Sequence, residues 1–281
     1  MKILVTGANG QLGHDVVKEL EKRGHIAIGV DVEEMDITDG NAVRDFIEKS
    51  SVDTVIHCAA YTAVDAAEDN KELCMAVNVE GTKNIARVCK DLDINMMYIS
   101  TDYVFDGQGN KPWQPDHTCH PINVYGESKY QGELAVKELL DNFFIVRISW
   151  VFGENGNNFV KTMLRLAESK NELNVVNDQV GSPTYTADLA ILLSDMVETE
   201  KYGVYHVTNE GLCTWFDFAE EIFRQANIDI KVNPITSYAF LTKAKRPHNS
   251  RMDKSKLTAE GFNLLPAWQD AVRRYLDNIC V

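Results

Sequence analysis

The chain has 281 residues, 44% hydrophobic and 25% charged, long enough to bury a large core as one α/β domain or as a main domain with a smaller companion. Its formal net charge of −14 argues against nucleic acid and anionic membrane as main partners, since both need a basic face that displaces counterions. No run approaches the roughly 18–20 apolar residues that cross a bilayer, and the six cysteines (Cys58, Cys74, Cys89, Cys119, Cys213 and Cys280) form no Cys-x-x-Cys pair, so neither a disulfide scaffold nor a zinc ribbon is expected. The opening apolar run is too short for a signal peptide and ends at a glycine turn. The expected location is cytoplasmic.

Along the chain, short apolar runs at 3–6, 26–30, 54–58, 96–100 and 143–148 alternate with longer amphipathic stretches. Fully apolar strands separated by helices predict a doubly wound parallel sheet covered on both faces. Gly7, Asp31, Ala59 to Tyr61, Thr101 and Trp150 each follow one of these strands, at the carboxyl edge where such sheets bind ligands. After about residue 150 the pattern changes to an amphipathic helix at 159–168, a short strand at 174–177, helices at 188–198 and 215–226, and a basic loop at 243–256. A strand at 204–207 is expected to return to the main sheet. The division read from this is a dinucleotide-binding domain over 1–150, rejoined by parts of 175–207, and a smaller, discontinuous substrate lobe over most of 151–281.

The first strand runs into Gly7-Ala-Asn-Gly10-Gln-Leu-Gly13, where glycines let a pyrophosphate approach the backbone and a helix N-terminus favours its charge. The spacing differs by one residue from Gly-x-Gly-x-x-Gly, so the loop alone leaves mononucleotide or flavin open. Asp31, ending the second strand, can accept from adenosine ribose hydroxyls, and Glu33 and Glu34 follow with no basic residue nearby for a 2′-phosphate; NADH is the expected cofactor, NADPH the second choice. Asp36 and Ile37 are placed to flank an adenine.

Tyr125 and Lys129 stand four apart on a helix expected over 124–140, so the ammonium is expected beside the phenol. A cation at about 4–6 Å lowers a phenol from its pKa near 10 by roughly 1–3 units, which suits a tyrosine that exchanges a proton with a carbonyl or hydroxyl oxygen during hydride transfer. Thr101 adds a hydroxyl at the end of the fourth strand, and Asn78 lies on a helix between the third and fourth strands. Trp150 leaves a strand at the ligand edge and is read as a sugar contact. His117, Cys119 and His120 lack a plausibly spaced fourth ligand and read as surface loop, so no metal is expected. Leu134, Val136, Leu139 and Leu140 look like the buried side of the Tyr125 helix.

Taken in order, Gly-x-x-Gly-x-x-Gly, Cys58-Ala-Ala60, Asn78, Ser100-Thr101 and Tyr125-x-x-x-Lys129 resemble an extended short-chain dehydrogenase/reductase. Longer blocks narrow this: residues 61–68 (YTAVDAAE), 100–105 (STDYVF), 121–126 (PINVYG), 147–150 (RISW), 157–159 (NNF) and 246–251 (RPHNSR) resemble the dTDP-4-dehydrorhamnose reductase family over nearly the whole chain. The resemblance implies NAD(P)H-dependent reduction of the 4-keto group of dTDP-4-dehydro-L-rhamnose to dTDP-L-rhamnose. It implies Tyr125 as proton donor, Lys129 as its tuner and a grip on the nicotinamide ribose, and Thr101 as orienter of the keto oxygen. Gly10, Gln11, Leu12, Asp36, Ile37, Ala60, Tyr61 and Thr62 would line the cofactor, together with Gly7, Gly13, Asp31, Ala59, Asn78 and Ile99. Thr101, Asp102 and Trp150 would face the sugar nucleotide, with Val64 and Arg246. Helices like the one carrying Tyr125 commonly pair into homodimers in this superfamily.

An anionic dTDP-sugar needs local positive charge, best supplied by arginine. Lys243, Lys245, Arg246, Arg251, Lys254 and Lys256 provide it; the lysines read as a solvated face, while Arg246 and Arg251 are assigned to phosphate contact or to bracing the loop. Two rival functions remain at this stage: a non-catalytic, nucleotide-binding regulatory subunit, against which Thr101, Tyr125 and Lys129 are all intact, and an epimerase or dehydratase of another sugar nucleotide. Tyr103 after Thr101-Asp102 lacks the second carboxylate that dehydratases carry.

Overall fold

The structure is a computed structural model that describes residues 1–279; Cys280 lies outside the described residues. Six strands form one parallel sheet. In chain order β1 is Lys2–Thr6, β2 Ile26–Val30, β3 Thr54–His57, β4 Asn95–Thr101 and β5 Phe143–Ile148, and Gly203–His206 adds an outer strand beside β5; across the sheet the order is Gly203–His206, β5, β4, β3, β1, β2. The order reverses next to β1 and β3, and the crevice at this switch point receives the ligand in such sheets.

Alternation along each strand feeds two cores. Ile3, Val5, Ile56, Met97, Ile99 and Val146 face the helices Gln11–Lys22 and Thr186–Val197, while Leu4, Val55, Met96, Tyr98 and Ile145 face Gly40–Ser50, Thr82–Asp91 and Val124–Leu139. Each fully buried Ile, Leu or Val is worth about 1.5–3 kcal/mol, and a slip of one residue would exchange the two sets. The register is therefore fixed by the sequence.

Two connections depart from the expected helices. The crossover from β3 to β4 runs through Lys71–Met75 and Thr82–Asp91 with a π-helical turn at Ala76–Gly81 between them, and Asn78 sits in that turn. On Val124–Leu139 the buried stripe is Gly126, Ser128, Lys129, Gly132, Glu133, Ala135 and Val136; Leu134 is exposed, contrary to its expected place inside. The helix lies so close to β4 that a Cβ at Gly132 would meet the Tyr98 hydroxyl at 2.3 Å, which favours small residues on this face.

Beyond β5 a third core gathers Phe152, Tyr185, Phe218, Ile222, Trp268 and Tyr275. It lies under a parallel pair, Glu172–Val176 with Lys231–Ile235, and the helices Phe159–Ala167, Trp215–Gln225 and Trp268–Ile279. Five cysteines, Cys58, Cys74, Cys89, Cys119 and Cys213, are free. Among the described residues no helix is long and apolar enough to cross a membrane.

Candidate active site

A cleft of about 1600 Å³, counted out to open solvent, runs along the carboxyl edge of the sheet from the glycine loop to Trp150. It is lined by Gly7, Gly10, Gln11, Leu12, Gly13, Asp31, Asp36, Ile37, Ala59, Ala60, Thr62, Val64, Ile99, Thr101, Asp102, Tyr125, Lys129 and Trp150. Three expected residues, Tyr61, Asn78 and Arg246, are not among its lining.

Gly7 turns the chain off β1 at φ +68°, and a Cβ there would come within 2.8 Å of the Ala59 nitrogen; only glycine suits both demands. The helix Gln11–Lys22 then starts at Gly10 with no side-chain cap and no acidic residue in its first turn, leaving its N-terminal donors and positive dipole end to an anion. Asp31 lies at the same end, accepting from the Asn9 nitrogen at 3.2 Å and the Val32 nitrogen at 2.9 Å. An uncapped N-terminus with a ribose-height carboxylate fits the pyrophosphate and adenosine ribose of a dinucleotide.

Behind the loop a directed chain of hydrogen bonds crosses β1 and β3. The Thr82 hydroxyl donates to the Asn78 carbonyl (2.7 Å), so Thr82 Oγ1 accepts from His57 Nε2–H (3.2 Å), and Nδ1 of the neutral ring accepts from the Thr6 hydroxyl (2.7 Å), whose oxygen accepts from the Ala59 N–H (3.1 Å). Burial holds His57 down to about 3, neutral in this chain. Asn78 is 1% exposed. Its amide accepts from the Tyr61 nitrogen (2.7 Å) and donates to the Tyr61 carbonyl (3.1 Å) and to Ser128 Oγ (2.8 Å). Asn78 thus ties the loop after β3 to the Tyr125 helix, its polar atoms consumed, and Tyr61 is held by its main chain beside it. A π turn at such a site has no signature in hydrophobic periodicity.

Tyr125 opens its helix behind the Asn123 cap, whose Oδ1 accepts from the Gly126 nitrogen at 2.7 Å. Thr101 donates to Asp102 Oδ1 at 3.1 Å and accepts from the Tyr103 nitrogen at 3.3 Å, while Asp102 Oδ2 accepts from Ser250. Burial lifts Asp102 to about 6, against the pull of Ser250 and Thr101. Tyr125 also departs from expectation. Burial pushes its phenol well above the usual range, with the Thr101 hydroxyl opposing and the Asp102 carboxylate adding, so no lowered pKa results. The Lys129 ammonium sits over the Tyr98 ring, 4.1 Å from its centroid, and burial pulls it down to about 7.

Tyr103, missed as a site residue, lines the cleft and meets Tyr125 edge-on at 5.6 Å between ring centroids. Near it is Arg246, whose guanidinium holds Asp65 Oδ1 and Oδ2 at 3.1 and 2.7 Å. Of the two roles expected for Arg246, phosphate contact or bracing of the loop, this pairing fits the second. Four other charges of that segment also have partners: Lys243 pairs with Asp69, Lys254 with Glu210, and Lys256 donates to the Val204 carbonyl, while Arg251 donates to Asn249 Oδ1 at 2.9 Å; Lys245 is exposed. Trp150 has φ +50°, strained for a bulky residue, and stacks on Trp215 at 3.8 Å. Cys119 and His117 pack with Arg147 and Trp113.

The family model described as RmlD substrate binding domain matches residues 1–281. The chain belongs to the dTDP-4-dehydrorhamnose reductase family, an oxidoreductase family. It is 41% identical over 284 residues to a dTDP-4-dehydrorhamnose reductase of Streptomyces griseus, covering 99% of this chain and 93% of the relative. Among solved structures, the Clostridium acetobutylicum dTDP-4-dehydrorhamnose reductase superposes with a TM-score of 0.98 at 41% identity, with both chains covered in full. The Bacillus anthracis enzyme of that name, solved in complex with NADP, gives a TM-score of 0.95 at 42% identity over 99% of each chain.

Proposed function

We propose that this chain reduces the 4-keto group of dTDP-4-dehydro-L-rhamnose to the alcohol of dTDP-L-rhamnose. The observation that carries the reading is that Thr101, Tyr125 and Lys129 line the same cleft as the glycine loop and Asp31, in a chain that matches the reductase family from end to end. When bound, a nicotinamide dinucleotide supplies the hydride. Tyr125 supplies the proton to the keto oxygen, and its raised pKa suits the task, because a reductase needs the phenol protonated at neutral pH. Thr101 orients that oxygen, and Lys129 holds the nicotinamide ribose from below. Asp102, fixed by Thr101 and Ser250, and Trp150 contact the sugar.

In the same reading residues 1–150, with 203–206, form the dinucleotide domain, and most of 151–281 forms the sugar-nucleotide lobe. Asp31, with Glu33 and Glu34 exposed after it, favours NADH while NADPH is accepted, as the NADP bound by the Bacillus anthracis relative suggests. The protein works as a cytoplasmic enzyme, and the outer face of the Tyr125 helix is the contact of a homodimer. The deciding experiment incubates the protein with dTDP-4-dehydro-L-rhamnose and NADH. One NADH consumed per dTDP-L-rhamnose formed supports the reductase, whereas turnover without net NADH loss indicates an epimerase or dehydratase, and binding without turnover a regulatory subunit.

A further inference from the structure

Lys129 and Glu133 stand four apart on one face of the Val124–Leu139 helix, 3% and 0% exposed. An ammonium taken out of water needs a counter-charge. The titratable groups around Lys129 are His57 and Cys58 from the end of β3, Cys74 from Lys71–Met75, Tyr98 from β4, and Tyr125 and Glu133 from its own helix. Burial keeps His57 neutral, holds Cys58 and Cys74 as thiols, and keeps both phenols protonated. Glu133 is the one carboxylate in that set.

Glu133 is in turn fixed from the sheet. Arg147 on β5 donates to it through Nε at 2.8 Å and Nη2 at 2.7 Å, and Ser100 on β4 donates at 2.6 Å. Lys137 approaches to 3.5 Å, with Cys119 and Tyr130 also facing it. The other Arg147 donors reach the Pro115 carbonyl, His206 and Cys119, so the guanidinium is saturated and the carboxylate cannot swing away. A line of alternating charge therefore runs from the cleft into the sheet: Lys129, Glu133, Arg147.

We propose that the buried Glu133–Arg147 pair is a positioning element of the reaction, in which the Glu133 carboxylate keeps the Lys129 ammonium charged and Arg147 keeps that carboxylate ionised and in place. This rests on the roles proposed for Tyr125 and Lys129. Burial alone would neutralise Lys129, and Glu133 is the strongest influence opposing it. An ammonium is present below its pKa and lost as pH rises through it. Removing the Glu133 charge therefore moves every Lys129-dependent event to lower pH.

The test measures NADH affinity by fluorescence titration from acid to alkaline pH, with thermal midpoints read alongside, in the full chain and in Glu133→Asp, Glu133→Gln and Glu133→Gln/Arg147→Met. Glu133→Gln alone leaves a buried arginine unpaired and can fail to fold; the double variant removes both charges and keeps the question answerable. In the wild type NADH affinity falls as pH rises through the Lys129 pKa. In each charge-removed variant that folds, the fall moves acidward by about one unit or more, even where the double variant regains thermal stability, and Glu133→Asp follows the wild type. Wild-type pH profiles in the folded charge-removed variants, or an affinity flat with pH in the wild type, overturn the proposal. Because NADH binding is the readout, loss of the sugar-nucleotide assignment would appear separately, as an acidward shift in a protein that does not turn over the dTDP-sugar.

Discussion

Asp65 and Arg246 form a two-point ion pair, at 3.1 and 2.7 Å, that fastens the basic loop of the second lobe to the short helix following β3. It is reinforced by the Ala244 nitrogen donating to Asp65 Oδ1 at 3.1 Å and by Asn123 Nδ2 donating to the Lys245 carbonyl at 2.7 Å. Val64, beside Asp65, and Tyr103, near Arg246, both line the cleft. Arg246→Ala is expected to raise KM for the dTDP-sugar roughly ten-fold, the worth of one charged hydrogen bond, with NADH affinity little changed. Steady-state kinetics with each ligand varied in turn checks this; equal losses for both ligands would make the pair a general brace of the fold.

Tyr125→Phe removes the phenolic proton and leaves the ring against Tyr103. Turnover is expected to fall roughly 10²–10⁴-fold while NADH binds as before, measured by single-turnover NADH oxidation and by fluorescence titration. An unchanged rate would take Tyr125 out of the chemistry.

At the adenosine end, Asp31→Ser removes the carboxylate that would meet a 2′-phosphate. The ratio of kcat/KM with NADPH to that with NADH is expected to rise about ten-fold or more, equivalent to roughly 1.4 kcal/mol of relieved repulsion. A wild type that already prefers NADPH strongly would refute the reading of this strand end.

His57 links acidity to stability. Its folded pKa is depressed to about 3 from 6.5, so the unfolded chain takes up a proton first; the contribution is fully present above pH 6.5 and is lost as pH falls toward 3, at about 1.4 kcal/mol per pH unit. His57→Asn should be less stable than wild type at pH 7, having lost the Thr6 and Thr82 bonds, and should lose less on acidification. Thermal midpoints of both proteins at pH 7, 6 and 5 check the slope, and parallel curves would contradict it.

The sheet was legible because its strands are continuously apolar and the helices between them are amphipathic, so Gly7, Asp31, Thr101 and Trp150 fell at strand ends by counting. What escaped was set by tertiary contact. Nothing local says that Arg246 faces Asp65, 181 residues away, or that Ser250 reaches Asp102. The spacing of Tyr125 and Lys129 places both, but the lowered phenol pKa expected from it does not hold, because helical proximity leaves out the desolvation that raises Tyr125. The inward face of their helix was misread at Leu134, since charges and glycines there contradict the usual apolar stripe. Cys58, Ser149 and Val151 also line the cleft, each next to a strand end or to Trp150.

Gln11, on the glycine loop, also holds the segment after Val151–Phe152: its Oε1 accepts from the Gly153 nitrogen at 3.0 Å and from Asn158 Nδ2 at 3.2 Å, and Asn155 Nδ2 donates to the Asn9 carbonyl at 2.6 Å. That segment is thus sewn onto the loop assigned to the pyrophosphate. These three bonds tie residues 153–158 to the glycine loop, so a substitution that breaks them loosens the turn at the N-terminus of Gln11–Lys22 as well as the segment it is tied to.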